Sequence, residues 1–316
     1  MNRRSNRRAS PRVGMLLLAA AAPLLMWVYF PASRSHIDPS LFLLLHTALE
    51  VVSVVIALTV FITGYRALLS SRLQGVVRLG IGFLGVGLLD FLHLMSYAGM
   101  PDAWTPNTPH KSIFFWLAAR LLAASALLVY VLSSSAAEMS ERRKVGMAAA
   151  MLAAVASIAW LGLAAPEAVP ALFIQGSGLT PLKIGVEWLA VFINLATLVV
   201  LWRRRTQWPD RALHAIFLAV SLSAVSELFM TMLGVIDKDQ ANLIGHIRKA
   251  AAYLHLFRAM TSSCPPINAR HMPIGCGAIS CNPTHVRWGR RRFSCCAAMA
   301  APCLSMYRSG TGRIAA

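Results

Sequence analysis

The segment LFLLLHTALEVVSVVIALTVFITG, residues 41 to 64, decides the fold of this protein. Its only ionisable side chains are those of His46 and Glu50. A transmembrane helix needs about 17 to 25 predominantly apolar residues, so the segment is long enough to cross a bilayer. Because placing a carboxylate in lipid is unfavourable, intramembrane acids mark functional or paired positions. The segment therefore predicts a membrane span that contributes to a buried polar site.

The whole chain of 316 residues shares this character, with 57% hydrophobic and 13% charged residues. An average soluble domain has about 25% charged residues, so the composition argues against a soluble fold. We predict an all-α, polytopic membrane bundle of about eight transmembrane helices. The predicted spans are Val13 to Phe30, Leu41 to Gly64, Leu79 to Tyr97, Ile113 to Leu132, Val145 to Ala165, Leu182 to Trp202, Ala212 to Gly234 and Ala241 to Met260.

The formal net charge of +18 comes from 30 Lys and Arg against 12 Asp and Glu. Alternate loops, beginning with the N-terminus, hold 15 of the basic residues, whereas the loops between them hold three. Basic residues in short loops favour the cytoplasmic side. The pattern predicts a multi-pass protein of the inner membrane with both ends in the cytoplasm. It also explains most of the arginines without nucleic-acid binding.

Ionisable residues inside the spans carry the functional signal, since each costs about 2.5 to 3.5 kcal/mol at the bilayer centre. At 1.5 Å of rise per residue, they all lie in the outer half of the predicted spans. Several also lie three or four residues apart on one helix, and therefore share a face. We predict that they converge inside the bundle. The residues of this predicted polar cluster are His46, Glu50, Asp90, His93, Arg120, Lys183, Glu187, Glu227, His246 and Lys249.

Three interpretations of the polar cluster are open. Four acids face four bases when Arg248 is counted, which favours an ion-pair network that fixes helix packing. The alternatives are a pocket for a ligand or ion that opens to the periplasm or cell exterior and, after that, part of a path across the membrane. No cysteine or dense histidine motif accompanies the three histidines, so we interpret them as hydrogen-bonded or ion-paired. The sequence thus predicts no metal site and identifies no cofactor.

Two further patterns concern packing. Gly80, Gly82 and Gly85 lie inside an apolar segment rather than after a strand, so they indicate close helix packing. Aromatic residues near the predicted span ends are interpreted as interfacial anchors. These are Trp27, Tyr97, Trp104, Trp116, Trp160 and Trp188 near the outer boundary, and Tyr65, Trp202 and Trp208 near the inner one.

The order of the motifs resembles the third class of bacterial membrane-associated sensor domains. The matching stretches include LHTALEVVSVVIA from Leu45, GVGLLDFLHLMSYAGM from Gly85, FWLAARLLAASALL from Phe115 and NLIGHIRKAAAYLHLFRA from Asn242. The family's motif positions fall on the residues of the polar cluster. The resemblance implies a sensory input module, usually fused to a cytoplasmic output such as a diguanylate cyclase of cyclic di-GMP signalling, a phosphodiesterase or a histidine kinase.

The domain organisation follows from these patterns. We predict a basic cytoplasmic N-terminus over residues 1–12, the sensor domain over 13–260 and a tail over 261–316. The first span is expected to be an uncleaved anchor rather than a signal peptide. The tail holds all six cysteines and no acid, which favours translation in a shifted frame over a disordered basic tail or a small zinc site. We therefore expect a truncated chain whose effector is missing.

The sequence predicts no catalytic residues, so the expected function is sensing without catalysis. A small ion-coupled transporter that uses the same acids is the alternative. The expected partners are the lipid bilayer, a small ligand or ion of unknown identity and a second copy of the chain in a homodimer, with no nucleic acid.

Overall fold

The computed structural model describes residues 37–66, 73–102, 105–133, 139–174, 177–232 and 240–262. These residues form seven α-helices and a hairpin of two-residue strands, β1 (Phe173–Ile174) and β2 (Gly178–Leu179). The predicted span Val13 to Phe30, the N-terminal segment 1–12 and the tail from residue 263 lie outside the described residues. The helices are α1 (Pro39–Tyr65), α2 (Leu73–Met95), α3 (Pro109–Leu132), α4 (Glu141–Ala164), α5 (Pro181–Arg203), α6 (Asp210–Met232) and α7 (Gln240–Ser262).

Local sequence signals explain where three of these helices begin. Asp38, Thr108 and Thr180 cap α1, α3 and α5, and each accepts hydrogen bonds from backbone N–H groups of the first turn. A proline follows each cap, at a position where its missing N–H removes no helical hydrogen bond. The three helices therefore start at well-defined residues.

Six helices pack in a closed ring in the order α1, α2, α3, α5, α6, α7 and back to α1. Helix α4 lies outside this ring and packs against α2 and α3. Its mostly exposed surface includes Trp160, which is 63% exposed. Within the described part of the chain, α1 to α6 are long and apolar enough to cross a membrane. The prediction of a helical membrane bundle is confirmed at this level.

The observed helices match the predicted spans to within a few residues, except at the start of α2. The helix begins at Leu73, although the predicted span begins only at Leu79. Arg78 lies in this extra turn, and its guanidinium donates hydrogen bonds to Ser133 Oγ at 3.1 Å and to Gln74 Oε1 at 3.2 Å. The helix therefore includes this charged residue, since neighbouring polar groups accept hydrogen bonds from its guanidinium.

Apolar side chains fill the half of the ring away from the polar cluster. Phe83, Tyr130 and Ile216 are fully buried there. Helices α1 and α2 approach closely, since a Cβ atom placed on Gly64 would lie 2.9 Å from the Cα atom of Gly80. One placed on Gly82 would lie 2.7 Å from the Cβ atom of Ala126 on α3. The interpretation of the α2 glycines as packing residues agrees with this geometry.

Two tryptophans do not lie where the sequence places them. Trp116 and Trp208 are only 4% and 5% exposed, so the interpretation of both as interfacial anchors is wrong. Trp208 packs edge-on against Tyr130 at a centroid distance of 5.4 Å, and Trp116 lies among the ionised groups of the polar cluster. Hydropathy alone does not separate a lipid-facing tryptophan from a buried one. Trp27 and Trp104 lie outside the described residues.

Candidate functional site

The ten residues of the polar cluster lie together at one end of the ring, which we call the polar end. Helices α1, α3, α5 and α7 begin there, and α2 and α6 end there. Every one of the ten residues is 5% exposed or less. Each of the six ring helices contributes at least one of them, whereas α4 contributes none. The structure thus brings together side chains separated by up to about 200 positions in the sequence.

Glu50 lies at the junction of α1 and α7. Its carboxylate accepts hydrogen bonds from Lys249 Nζ, which contacts both oxygens. Its Oε1 atom also lies 2.6 Å from Nδ1 of His246. An uncompensated carboxylate in this position would be strongly destabilising. The contacts with α7 therefore satisfy a charge that α1 alone could not hold.

Asp90 and Arg120 connect α2 to α3. The Arg120 guanidinium donates hydrogen bonds of 2.8 and 3.0 Å to the two oxygens of Asp90. Tyr253 on α7 donates its hydroxyl proton to Asp90 at 3.0 Å and also contacts Arg120. Lys249 Nζ lies 3.6 Å from Asp90, which joins this group to Glu50. One network thus spans α1, α2, α3 and α7.

A second group of charges lies on α5 and α6. Lys183 Nζ lies 2.7 Å from Oε1 of Glu187 one turn later on α5, and it donates a hydrogen bond to the carbonyl of Met230 at 3.1 Å. Glu227 is 3% exposed, and its Oε2 atom has no hydrogen-bond partner among the described residues. Arg248, counted from the sequence as a fourth base, packs over the ring of Phe229 at 5.1 Å.

The three histidines form an aromatic group beside Glu50. The ring of His46 lies 4.6 Å from that of His246 and 5.5 Å from that of His93, measured between centroids. Nδ1 of His93 lies 2.9 Å from the carbonyl oxygen of Ser112. Both ring nitrogens of His46 lack a hydrogen-bond partner within the described structure. Burial of such polar atoms without a partner is unfavourable.

A cavity of about 60 Å³ adjoins the cluster at the polar end. His93, His246, Lys183 and Glu187 line it together with Tyr97 and Trp116. Its volume is enough for a few water molecules or a small ion with its ligands. The cavity therefore lies between the pair of Lys183 and Glu187 on one side and the rings of His93 and His246 on the other.

The sequence interpretation missed two members of this site. Tyr253 bonds both Asp90 and Arg120, and Trp116 lies 4.8 Å from the Arg120 guanidinium carbon and 5.0 Å from Lys249 Nζ. A helical spacing could have indicated both, since Tyr253 follows Lys249 and Trp116 precedes Arg120 by four residues. Of the predicted pairs on one helix, Lys183 and Glu187 bond to each other. Glu50 and Asp90 instead bond to residues of other helices.

The fold and site define a membrane-embedded helical bundle with a buried ionic cluster at one end. A family model described as a membrane-associated sensor domain, MASE3, matches residues 37–264. Because this match covers more than half of the chain, the protein belongs to that family. Comparisons with curated proteins and with solved structures found no match.

Proposed function

We propose that this chain is the sensory input domain of a bacterial signal-transduction system. In this proposal it is a multi-pass protein of the inner membrane whose polar end faces the periplasm. The observation that carries the proposal is the polar cluster, to which all six ring helices contribute. Buried ionisable residues are costly in a membrane and mark functional sites. Membership of a sensor-domain family supports the same role.

The signal acts by changing the partners of the ionised groups. Glu50 and Lys249 join α1 to α7, and Lys249 also lies within 3.6 Å of Asp90. A ligand that favours one pairing shifts the population of helix arrangements by its difference in affinity between them. Helix α7 has 23 residues and extends about 34 Å at 1.5 Å per residue. It therefore reaches from the polar cluster to the opposite end of the bundle.

The input domain itself carries no catalytic step in this proposal. An enzymatic output, such as synthesis of cyclic di-GMP, belongs to a separate effector domain. The expectation that such an effector is missing concerns residues outside the described part of the chain, and it stays a prediction.

A transporter is the other class of function consistent with buried acids. A carrier needs polar groups along its path through the bilayer, whereas the polar cluster lies at one end. Away from it, the described core is mainly apolar, as at Phe83 and Ile216, and its buried polar groups there, such as Asn194, Thr197 and Ser221, are uncharged. This distribution favours a sensor over a carrier.

Fusion of the chain to a reporter enzyme tests the sensory role. A diguanylate cyclase joined after Ser262, in step with α7, should give a basal output that changes at least several-fold in Glu50→Gln or Asp90→Asn. The matched control is Glu141→Gln, since this carboxylate is 75% exposed and bonds only locally to Lys144. Unchanged output in both cluster variants, at equal protein level, would refute the role.

The orientation is tested by cysteine labelling in intact cells. All six native cysteines lie in the tail, so their replacement by serine leaves a background for single cysteines. Ser177→Cys, between β1 and β2 near the polar end, should react with a membrane-impermeant maleimide. Gln207→Cys, between α5 and α6, should react only after the membrane is permeabilised. The reverse result would place the polar end in the cytoplasm.

A further inference from the structure

Four metal-ligating side chains meet inside the polar cluster. His46 and Glu50 come from α1, His93 from α2 and His246 from α7, and their ligand atoms all lie within 4.8 Å of one another. We propose that these four residues bind a first-row transition metal ion such as Zn²⁺ or Co²⁺. Imidazole nitrogen and carboxylate oxygen are ordinary ligands of such ions. This assignment replaces our sequence-based interpretation of the histidines as merely hydrogen-bonded or ion-paired.

Unpartnered nitrogen atoms are the first argument for this site. His46 is fully buried, and neither of its ring nitrogens has a hydrogen-bond partner among the described residues. The Nε2 atom of His93 also lacks one there. Buried polar groups are normally hydrogen-bonded, so each exception needs an explanation. A metal ion between the two rings accepts one lone pair from each, and so supplies a partner for Nε2 of His93 and for one nitrogen of His46.

The environment of His93 is the second argument. Its Nδ1 atom lies 2.9 Å from the carbonyl oxygen and 3.0 Å from the hydroxyl oxygen of Ser112. The hydroxyl group donates to the carbonyl oxygen of His93 at 3.5 Å, and the carbonyl oxygen of Ser112 can only accept a hydrogen bond. Nδ1 therefore carries the proton, and Nε2 presents a lone pair. A histidine that binds a metal usually donates its other N–H to a carbonyl or carboxylate, which fixes the ring. His93 already has this arrangement.

Little movement is needed to form the coordination sphere. Ligand atoms around a tetrahedral ion with bonds of about 2.0 to 2.1 Å lie about 3.4 Å apart. The four ligand atoms, now within 4.8 Å of one another, reach this separation by small side-chain rotations. The adjacent cavity of about 60 Å³ is lined by His93 and His246, so an ion can approach the site from it.

Lys249 gives metal binding a structural consequence. Its ammonium group now contacts both oxygens of Glu50 and lies 3.6 Å from Oδ1 of Asp90. Metal bound to Glu50 repels this ammonium group, which then moves to Asp90. Since Asp90 holds Arg120 and Tyr253, the ion changes contacts across four helices. The role of this movement as a signal rests on the proposed sensory function, for which the metal ion is then the ligand. Metal binding itself does not depend on that function.

Metal titration of the purified full-length chain tests the inference. The background protein carries serine at the six tail cysteines and alanine at His271 and His285, so that the tail binds no metal. After metal removal, Co²⁺ binding is followed by the visible absorption of the bound ion. Zn²⁺ binding is followed by its competition with Co²⁺ for the site. We expect one ion per chain, and a loss of affinity of about tenfold or more in His46→Ala and in His93→Ala. His255→Ala, on α7 but outside the cluster, is the matched control and should bind normally.

A second measurement separates a metal ligand from a merely structural histidine. Zn²⁺ should raise the Tm of the background protein and of His255→Ala, and at the same concentration should raise that of His46→Ala and His93→Ala clearly less. Failure of the background protein to bind Co²⁺ or Zn²⁺, or an unchanged affinity in both His46→Ala and His93→Ala, would overturn the inference.

The reporter fusion distinguishes this failure from failure of the sensory role. If the ion binds but the output changes neither on addition of Zn²⁺ nor in Glu50→Gln, the metal site is supported and the sensory function is refuted. If no ion binds but Glu50→Gln still changes the output, the metal site is refuted and the sensory function is supported.

Discussion

The two ends of the helix ring are built on opposite principles. At the polar end, Glu50, Asp90 and Arg120 are buried in ion pairs between helices. At the other end, Gly64 and Gly80 bring α1 and α2 into close contact, and large apolar side chains fill the remaining space. Apolar packing would hold the polar end together at a lower desolvation cost, because hydrophobic replacements of buried ion pairs are often neutral or stabilising. The contrast separates a polar end, where each charge needs partners on other helices, from an apolar end that is held by close packing.

Breaking the Asp90 and Arg120 pair should give the largest effect. Arg120→Met leaves a buried carboxylate with only Tyr253 and Lys249 beside it, and should reduce the free energy of unfolding by about 3 kcal/mol. The double variant Asp90→Leu/Arg120→Met removes both charges and should recover much of this loss. Denaturation of the purified protein in detergent measures both. A double variant no more stable than Arg120→Met would show that the pair also stabilises the fold.

Crowding the apolar end should have the next largest effect. In Gly80→Ala the new methyl group would lie 3.0 Å from Gly64 Cα and 3.1 Å from the carbonyl oxygen of Phe61. Backbone atoms cannot move aside as a side chain can, so we expect a loss of about 2 kcal/mol.

The control for crowding is Gly185→Ala, where no atom of the described structure lies within 4 Å of the new methyl group. Alanine is the better helix former by about 1 kcal/mol, so this variant should be slightly stabilised in the same assay. If the two alanine variants behaved alike, close packing of α1 against α2 would not be the reason for Gly80.

Removing one hydroxyl group from the polar cluster should have a smaller effect. Tyr253→Phe keeps the ring, which packs edge-on against Phe83 at 5.2 Å, but loses the hydrogen bonds to Asp90 and Arg120. We expect a loss of about 1 to 2 kcal/mol. Tyr65→Phe, a half-buried tyrosine at the opposite end of α1, should be close to neutral. Equal losses in the two variants would argue against a specific role of the Tyr253 hydroxyl group.

The smallest effect is expected at the exposed cap of α1. Hydrogen bonds from Ser40 Oγ and from the backbone N–H groups of Leu41 and Ser40 lower the pKa of Asp38 below its ordinary value. A lowered pKa stabilises the folded state above the ordinary pKa, and the contribution is lost as the pH falls through the folded value.

Asp38→Asn keeps the cap but removes the charge. Above about pH 4 the native chain should therefore have the higher Tm, and the difference should vanish at lower pH. Thermal unfolding over a pH series measures this. A difference that persists in acid would show that charge is not its source.

The sequence predicts much of the fold because a membrane span needs a long apolar segment wherever it packs. The spans from Leu41 onward match the observed helices closely. The start of α2 was predicted too late because Arg78 interrupts the apolar pattern, whereas in the structure Ser133 and Gln74 satisfy it. The position of α4 outside the ring agrees with its sequence, since Val145 to Ala165 is the one predicted span from Leu41 onward that holds no residue of the polar cluster.

The polar cluster was predictable in membership but not in its contacts. Charged and histidine residues are conspicuous in apolar segments, so Glu50, Asp90 and Lys249 are found by inspection. Tyr253 and Trp116 escaped notice because both residues are common at membrane interfaces. Hydrogen bonds between helices depend on the rotation of each helix about its axis, which a single sequence does not reveal.

The sequence by itself determined that this is a membrane protein, which segments are long and apolar enough to cross a bilayer and which side chains are unfavourable in lipid. These properties follow from transfer free energies of single residues, which are local. The tertiary structure alone decided that Glu50 bonds Lys249, that Asp90 bonds Arg120 and that three histidines meet beside Glu50. Those contacts depend on the order and rotation of six helices around the ring, and only packing of the whole bundle sets them.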